Sequence, residues 1–290
     1  MRLLNRLCAA LATGILLLST ASWAAAPATV ELVQAPAWVD RAGRTLPLAP
    51  GMELKSGDLV RTGSGARAYL MLAEGSRVKL GESARFSLHT QSMRPEKSFR
   101  GALDVVAGAF RFTTSKLKKT LPRDLAIRVG TATIGIRGTD IWGKTDKDGD
   151  LVALIEGRIE ISRGGQSTEM SQAMSFYDAP AGKAAEVKSL DLESFARLAR
   201  QTDIVTGDGA AGRKGKWSIL AGSAANQEAA LEIYDQVRDA GFAARMQPRA
   251  TEGSEWRYEI SVRGFASSAE AEIAAARLKA ATELKPVVRR

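Results

Sequence analysis

Hydrophobic and polar positions follow two rhythms along this chain, and the change between them predicts two domains. From Thr29 to about Ser162, short apolar runs are broken by glycine every eight to twelve residues, with little helical periodicity. Residues 30–33, 37–40, 54–60, 68–72 and 78–80 read as strands, as do 103–106, 110–112, 125–129, 132–140 and 151–161. Glycines between them supply the positive φ of tight hairpins, and the Leu, Val and Tyr of each run supply one buried face. The expectation is a compact all-β domain over 27–165.

The last quarter has a different beat. Trp217-Ser218-Ile219-Leu220-Ala221 alternates as a half-buried strand, Gly222 and Ser223 turn the chain, and Asn226 can cap a helix. Ala230, Ile233, Tyr234 and Val237 fall on one face of that helix, and Gly241 ends it. A short run over 243–247 and a polar loop precede 256–263, the cleanest period-two alternation in the chain. Ser267 and Glu270 make a capping box for a second helix burying Ala271, Ala274, Ala275 and Leu278, and Pro286-Val287-Val288 can add an edge strand. The order βαββαβ is a split βαβ unit of ferredoxin-like type, so this small domain, 216–290, is expected to be α+β.

Between the domains, 166–206 reads as a connecting segment with a short amphipathic helix at 190–201, its apolar side formed by Leu192, Phe195, Ala196 and Ala199. Residues 207–215 hold four glycines and read as a flexible linker, so the two domains are expected to move independently.

Composition changes the picture at the start of the chain. Arg2 and Arg6 precede an apolar stretch over 7–18 and a small-residue region ending at Ala26, the pattern of a secretory signal peptide over 1–26. Its removal lowers the net charge from +9 to +7, since the segment carries two arginines and no acid. The expected location is periplasmic, with no stable membrane span after cleavage; an uncleaved helix anchored in the inner membrane is the alternative. The single cysteine, Cys8, lies within that segment, and an exported domain above about 100 residues does not need disulfides.

Two resemblances are carried by motifs. The run Gly51, Leu54, Gly57-Asp58, Thr62-Gly63, Glu74-Gly75-Ser76 and Leu80-Gly81, with Arg137-Gly138-Thr139 and Leu154-Ile155-Glu156-Gly157, resembles the FecR-family β domain over about 30–165. In usual members of that family the domain sits in the periplasm and carries a signal from an outer-membrane receptor to a cytoplasmic anti-sigma segment. No such segment and no second hydrophobic span is visible here, so direct control of a sigma factor is not expected. The strands beginning at Trp217 and Tyr258, with the alanine-rich helix after Phe265, resemble a SPOR domain, a peptidoglycan-binding module of bacterial envelope proteins. Leu220, Ala224 and Arg263-Gly264 depart from that family's usual glutamine, phenylalanine and Gly-Pro.

Candidate chemistry is thin elsewhere. His89 is the only histidine and no nucleophile elbow accompanies it, so no catalytic residues are expected and the protein reads as non-enzymatic. No cofactor motif occurs, because the glycines of 207–215 lack dinucleotide or P-loop spacing. The run Asp146 to Asp150 resembles the start of a calcium loop, but Gly157 stands where the bidentate glutamate would be, so a hairpin turn is expected and no metal. Lys116, Lys118 and Lys119, with Arg111 and Arg123 nearby, form a basic loop that reads as solvated, and nucleic acid is not expected as a partner of an exported chain.

The parity of the strands nominates a surface. If Trp217, Ile219, Tyr258, Ile260 and Val262 pack under the helices, then Ser218, Leu220, Arg257, Glu259, Ser261 and Arg263 lie on the opposite sheet face, joined by Arg245 and Gln247. The SPOR resemblance implies that this polar, arginine-rich face binds peptidoglycan glycan strands. The FecR-like domain is expected to be a protein- or glycan-interaction module, and an unidentified envelope protein is the expected second partner. The alternative is a periplasmic signalling or regulatory protein whose FecR-like domain contacts a membrane partner.

Overall fold

The computed structural model describes residues 26–91, 98–114, 123–250 and 256–290. Residues 1–25 of the signal segment and the lysines of the basic loop lie outside them. Among the described residues, no helix is long and apolar enough to cross a membrane.

The strands of the first domain are β1 (Ala28–Gln34), β2 (Ala37–Arg41), β3 (Arg44–Pro47), β4 (Glu53–Leu54), β5 (Leu59–Thr62), β6 (Arg67–Leu72), β7 (Arg77–Leu80) and β8 (Arg85–Thr90). Three long strands follow around a short one: β9 (Phe99–Thr113), β10 (Arg123–Val129), β11 (Ala132–Asp146) and β12 (Gly149–Arg163). The last are β13 (Gln166–Met170), β14 (Ser175–Pro180) and β15 (Glu186–Ser189). They form two sheets that share the long strands. One runs β3-β2-β5-β8-β9-β10-β11-β12-β13, with β9 and β10 parallel. The other runs β1-β6-β7-β9-β11-β12-β14-β15.

Each long strand changes sheets at a glycine. β9 pairs with β8 through Ala107 and with β7 and β11 beyond it, and the bend is at Gly108, φ 84°. The register of β11 on β12 breaks between Arg137 and Asp140, around Gly138 at φ 65°, while β12 turns at Gly157, φ 100°. A Cβ on Gly157 would lie 2.5 Å from the carbonyl oxygen of Gly138, so two glycines face each other where the sheet folds over. This is what the Arg-Gly-Thr and Glu-Gly motifs do physically. Between the sheets lies one apolar core that includes Val39, Phe86, Leu88, Phe110, Phe112, Ile127, Ile141 and Leu154.

The connecting segment expected over 166–206 is not a connector. Its first half supplies β13, β14 and β15, because Tyr177 and Ala179 alternate inward onto the core while their neighbours face out. The helix α1 (Leu192–Thr202), capped by Asp191, then lies on the outer face of the second sheet. There Phe195 and Leu198 join Leu190 over the fully buried Trp142. The expected apolar side is thus corrected: Leu192 is 78% exposed, because the helix is rolled to seat the larger ring of Phe195 on the sheet.

The second domain has the expected order. β17 (Trp217–Ala224), α2 (Gln227–Asp239), β18 (Ala244–Ala250), β19 (Trp256–Phe265), α3 (Ser268–Ala281) and β20 (Val287–Arg289) form an antiparallel sheet β20-β17-β19-β18. Ile219, Ile260 and Val262 are buried with Ala230, Val237, Ala271, Ala274 and Leu278 of the two helices. Asn226 and Ser267 cap the helices as the sequence indicates, each accepting a backbone N–H.

The flexible linker, however, is folded. Within it β16 (Ala210–Gly212) pairs antiparallel with β1 on one side, Val33 opposite Ala211, and touches β19 on the other, Ala211 opposite Phe265. The second sheet of the first domain therefore continues into the sheet of the second. Glycine content suggested mobility, but here those glycines let backbones approach. The carboxylate of Glu270, 6% exposed, accepts N–H bonds from Gly207 at 2.6 Å, Gly209 at 2.5 Å and Ala210 at 3.0 Å. Glu270 thus serves the neighbouring segment and not the reciprocal half of a capping box. Around this strand, Lys79 pairs with Asp203 at 2.6 Å, Arg277 donates to the carbonyl of Ala35 at 3.3 Å, and Ala37 N–H donates to the carbonyl of Gly241. Burial pushes the Arg277 guanidinium below its ordinary range, an effect that nearby Asp208 opposes.

Gly157→Ala should lower stability by about 2 kcal/mol or more in a denaturant titration, since it adds a clash to a left-handed backbone. Gly164→Ala, also left-handed but with open space around it, should cost about 1 kcal/mol. Equal losses would mean that the strand crossing is not tight. Glu270→Gln should raise amide exchange at Gly207, Gly209 and Ala210 roughly 30-fold, equivalent to about 2 kcal/mol, as the buried carboxylate loses charge-assisted bonds. Unchanged protection there would mean that β16 stays in place without this carboxylate.

Candidate functional site

The face of the β17–β20 sheet turned away from α2 and α3 gathers the candidate residues. Strand pairing sets Ser218 opposite both Arg263 and Arg289, Leu220 opposite Ser261 and Val287, Ser261 opposite Arg245, and Gln247 opposite Glu259. All eight residues nominated from the sequence lie on this one surface. A bulge at Ala221 shifts the register so that Gly222 faces inward against Ile233 while Ser223 joins the outer face beside Glu259.

Four residues on this face escaped the sequence reading: Ser223, Arg249, Val287 and Arg289. Arg249 was missed because β18 continues through Pro248, which an edge strand tolerates since no ladder hydrogen bond needs its nitrogen. The last three residues of β20 could have been placed by parity only if their register against β17 were known.

The surface is strongly basic. Among the described residues, Arg245, Arg249, Arg257, Arg263 and Arg289 share it with a single carboxylate, Glu259. Glu259 is claimed by Arg289 at 2.9 Å and by Arg249 at 3.5 Å. Arg263 donates to Gln247 Oε1 at 2.6 Å and to Ser261 Oγ at 3.3 Å, which fixes its guanidinium flat along the sheet. Arg257 stands directly opposite Arg249, a like-charge pair that costs the free protein a few tenths of a kcal/mol. Leu220 and the 55% exposed Val287 form a small apolar spot beside these cations. Exposed guanidinium groups in fixed array offer paired donors to hydroxyl, acetamido and carboxylate oxygens.

Other sequence candidates resolve into structural roles. Ser87 Oγ and Asp104 Oδ2 each lie 3.2 Å from the same nitrogen of His89, Nε2, whereas a proton relay needs both ring nitrogens. Asp104 also accepts from Arg128 at 2.9 Å. Asp146 and Gly149 close a two-residue hairpin between β11 and β12. The Lys144 ammonium, with the N–H of Asp148, holds the Asp146 carboxyl below the usual carboxylate range. Asp150 accepts from Thr131 and Thr145. Arg111 forms a two-point pair with Asp140 at 2.8 and 2.9 Å, which raises its pKa, so this arginine is committed to the domain's own structure.

Residues 58–160 match the profile of the family described as FecR protein, and residues 214–290 match that of the SPOR domain. The chain carries a FecR domain followed by a SPOR domain. The arginine face belongs to the SPOR domain, whose match suggests peptidoglycan binding, and the FecR match suggests a signalling or anti-sigma-factor-like module. Both families are binding or regulatory modules and place the protein in the cell envelope. Comparison with curated proteins returns no match. Among solved structures the chain is similar to two crystal structures of a candidate anti-sigma factor from Parabacteroides distasonis ATCC 8503. One, at 12% identity, covers 76% of this chain and 90% of the other with a TM-score of 0.41. The second, also at 12% identity, covers 68% and 96% with a TM-score of 0.39.

Because Arg257 of the SPOR domain opposes Arg249, Arg257→Ala should leave the free protein as stable as before or a few tenths of a kcal/mol more stable in urea denaturation. A loss above about 1 kcal/mol would mean that this arginine holds the sheet together and is not a spare cation on it.

Proposed function

We propose that this protein is a non-catalytic periplasmic component of the cell envelope that attaches to peptidoglycan glycan strands through the outer sheet face of its SPOR domain. The observation that carries this reading is the imbalance on that face among the described residues: five arginines, two of them on directly opposed positions, against one carboxylate. The opposition of Arg249 and Arg257 gains the free protein nothing in stability, whereas a ligand rich in oxygen acceptors relieves the repulsion on binding. Ser218 and Gln247 can exchange hydrogen bonds with sugar hydroxyls, whereas Ser261, 8% exposed, accepts from Arg263 and positions that arginine, and Leu220 with Val287 can meet the apolar face of a sugar ring. Arg245, Arg257 and Arg263 supply the charged donors. In this reading the FecR domain contacts an envelope protein, and the SPOR domain holds it at the wall.

A second reading, periplasmic signalling through the FecR domain with a membrane partner, is favoured by the FecR match itself. It differs in making attachment to the wall dispensable for the contact.

Arg257→Ala combined with Arg263→Ala should weaken cosedimentation of the intact two-domain chain with purified sacculi by about 10-fold or more. Two charge-assisted contacts at about 1 kcal/mol each, discounted for exposure, account for that loss. Sacculi stripped of peptide by an amidase should retain the wild-type chain, as expected for a ligand in the sugar backbone. Wild-type protein remaining in the supernatant, or a double variant that sediments as well as wild type, would defeat the proposal.

A further inference from the structure

Where the two domains meet, a cavity of about 690 Å³ opens to solvent. The FecR domain contributes Glu31 and Leu32 of β1 and Arg77 of β7, and the SPOR domain contributes Lys214, Lys216 and Trp217. Neither domain builds this space alone. Its floor is close-packed backbone: a Cβ on Gly215 would sit 2.1 Å from the carbonyl of Gly264, and one on Gly264, φ 106°, would sit 2.6 Å from that of Gly212. Only glycine fits at those points, so the base of the cleft stays free of side chains.

The lining is mixed in charge and partly apolar. Glu31 accepts from Arg77 at 2.7 and 3.3 Å, and Arg290, with the carboxylate that ends the sequence, lines the space beside Lys214 and Lys216. An anion would use the cationic donors and be repelled by the carboxylates, whereas a hydroxyl both donates and accepts. The pair of Glu31 and Arg77 keeps lone pairs and N–H groups beyond the two bonds made within it. Leu32 and the half-buried Trp217 supply an apolar wall against which the C–H face of a sugar ring can lie. The cleft also adjoins the arginine face. Trp217, Gly264 and Arg290 line it, and their chain neighbours Ser218, Arg263 and Arg289 are members of that face. An enclosed pocket suits a small molecule, but an open cleft against a polymer-binding surface suits more of the same polymer.

We infer that the junction cleft is a second sugar subsite, taking the next stretch of the same glycan strand where it leaves the arginine face. This rests on the wall-binding reading above and goes beyond it, because Glu31, Leu32 and Arg77 belong to the FecR domain. Glu31 and Arg77 hydrogen-bond ring hydroxyls from one wall, Lys214 and Lys216 do so from the other, and Trp217 packs against a ring. The FecR domain is then part of the glycan site and not only what the site holds in place.

Isothermal titration of the intact two-domain chain with two peptide-free glycan fragments, a tetrasaccharide and an octasaccharide, tests this. The octasaccharide should bind wild type about 10-fold more tightly, as a few added hydrogen bonds would give. E31A/R77A removes both partners of a solvent-accessible ion pair and K214A/K216A removes two exposed lysines, so neither should shift the melting temperature. Each should lose most of the octasaccharide's gain and keep wild-type affinity for the tetrasaccharide, which the arginine face accommodates alone. The larger number of registers open to a longer ligand is the same in every variant, so it cancels from the comparison. An octasaccharide advantage that survives in both variants, no advantage in wild type, or an equal loss for both ligands would overturn the subsite. A tetrasaccharide that fails to bind wild type, or that binds R257A/R263A as well as wild type, would instead sink the sheet-face reading.

Discussion

A single buried carboxylate accepting three consecutive-segment amides decides how this molecule is put together. Glu270 belongs to the first turn of a SPOR-domain helix, yet the N–H groups that it satisfies are those of Gly207, Gly209 and Ala210, which lead into β16. Without that acceptor, a glycine-rich stretch between two domains would gain more from backbone entropy than from the few ladder bonds of a three-residue strand. With it, β16 is held where it completes hydrogen bonding between β1 and β19, and two sheets become one surface. Gly241 works in the same direction from the other side. It ends α2 with φ 79°, and its position leaves no room for a side chain against Pro36 and Trp38 of the FecR domain.

Within the FecR domain, the governing constraint is that strands of fifteen residues cannot stay in one twisted sheet around so small a core. They cross from one sheet to the other, and the crossing points need left-handed backbone and close approach together. Gly108, Gly138 and Gly157 meet that need, the last two against each other. Crossing strands place both halves of β9, β11 and β12 on one shared core, so the sheets cannot slide independently. The outer face of the second sheet is sealed by α1, which buries Trp142 completely.

Much of this was legible in the residues, and the failures have a common cause. Alternation at 256–263 and the helical spacing of Ala230, Ile233, Tyr234 and Val237 specify the SPOR-domain core, because burial on one face is a local, periodic demand. The eight face residues follow from the same parity. What was not legible depends on partners distant in sequence. The strands of 166–189 carry few apolar residues and are recruited by β12, whose register no local pattern reveals. Glycine in 207–215 has the same composition whether it confers freedom or permits close contact, and only Glu270, about sixty residues away, distinguishes the two. Arg249 and Arg289 join the face through a strand extended past a proline and a three-residue edge strand, both too short on periodicity to read alone.

A fixed junction changes what an anchor can do. A free glycine-rich linker of nine residues would leave the FecR domain wandering over roughly 16 Å relative to the SPOR domain, by the square-root scaling of flexible chains. Pairing of β1 with β16 and of β16 with β19 removes that freedom and turns attachment into orientation. A polymer lying across the arginine face would then set the direction in which the FecR domain presents its remaining surfaces, including the exposed edge strand β15. On the proposed reading, wall binding and partner contact would be mechanically linked, because force on one sheet is carried by main-chain hydrogen bonds into the other. The proposed tether and signalling readings are therefore less opposed than their names suggest, since a FecR domain fixed at one angle to the SPOR domain would present its surfaces in one direction under either of them.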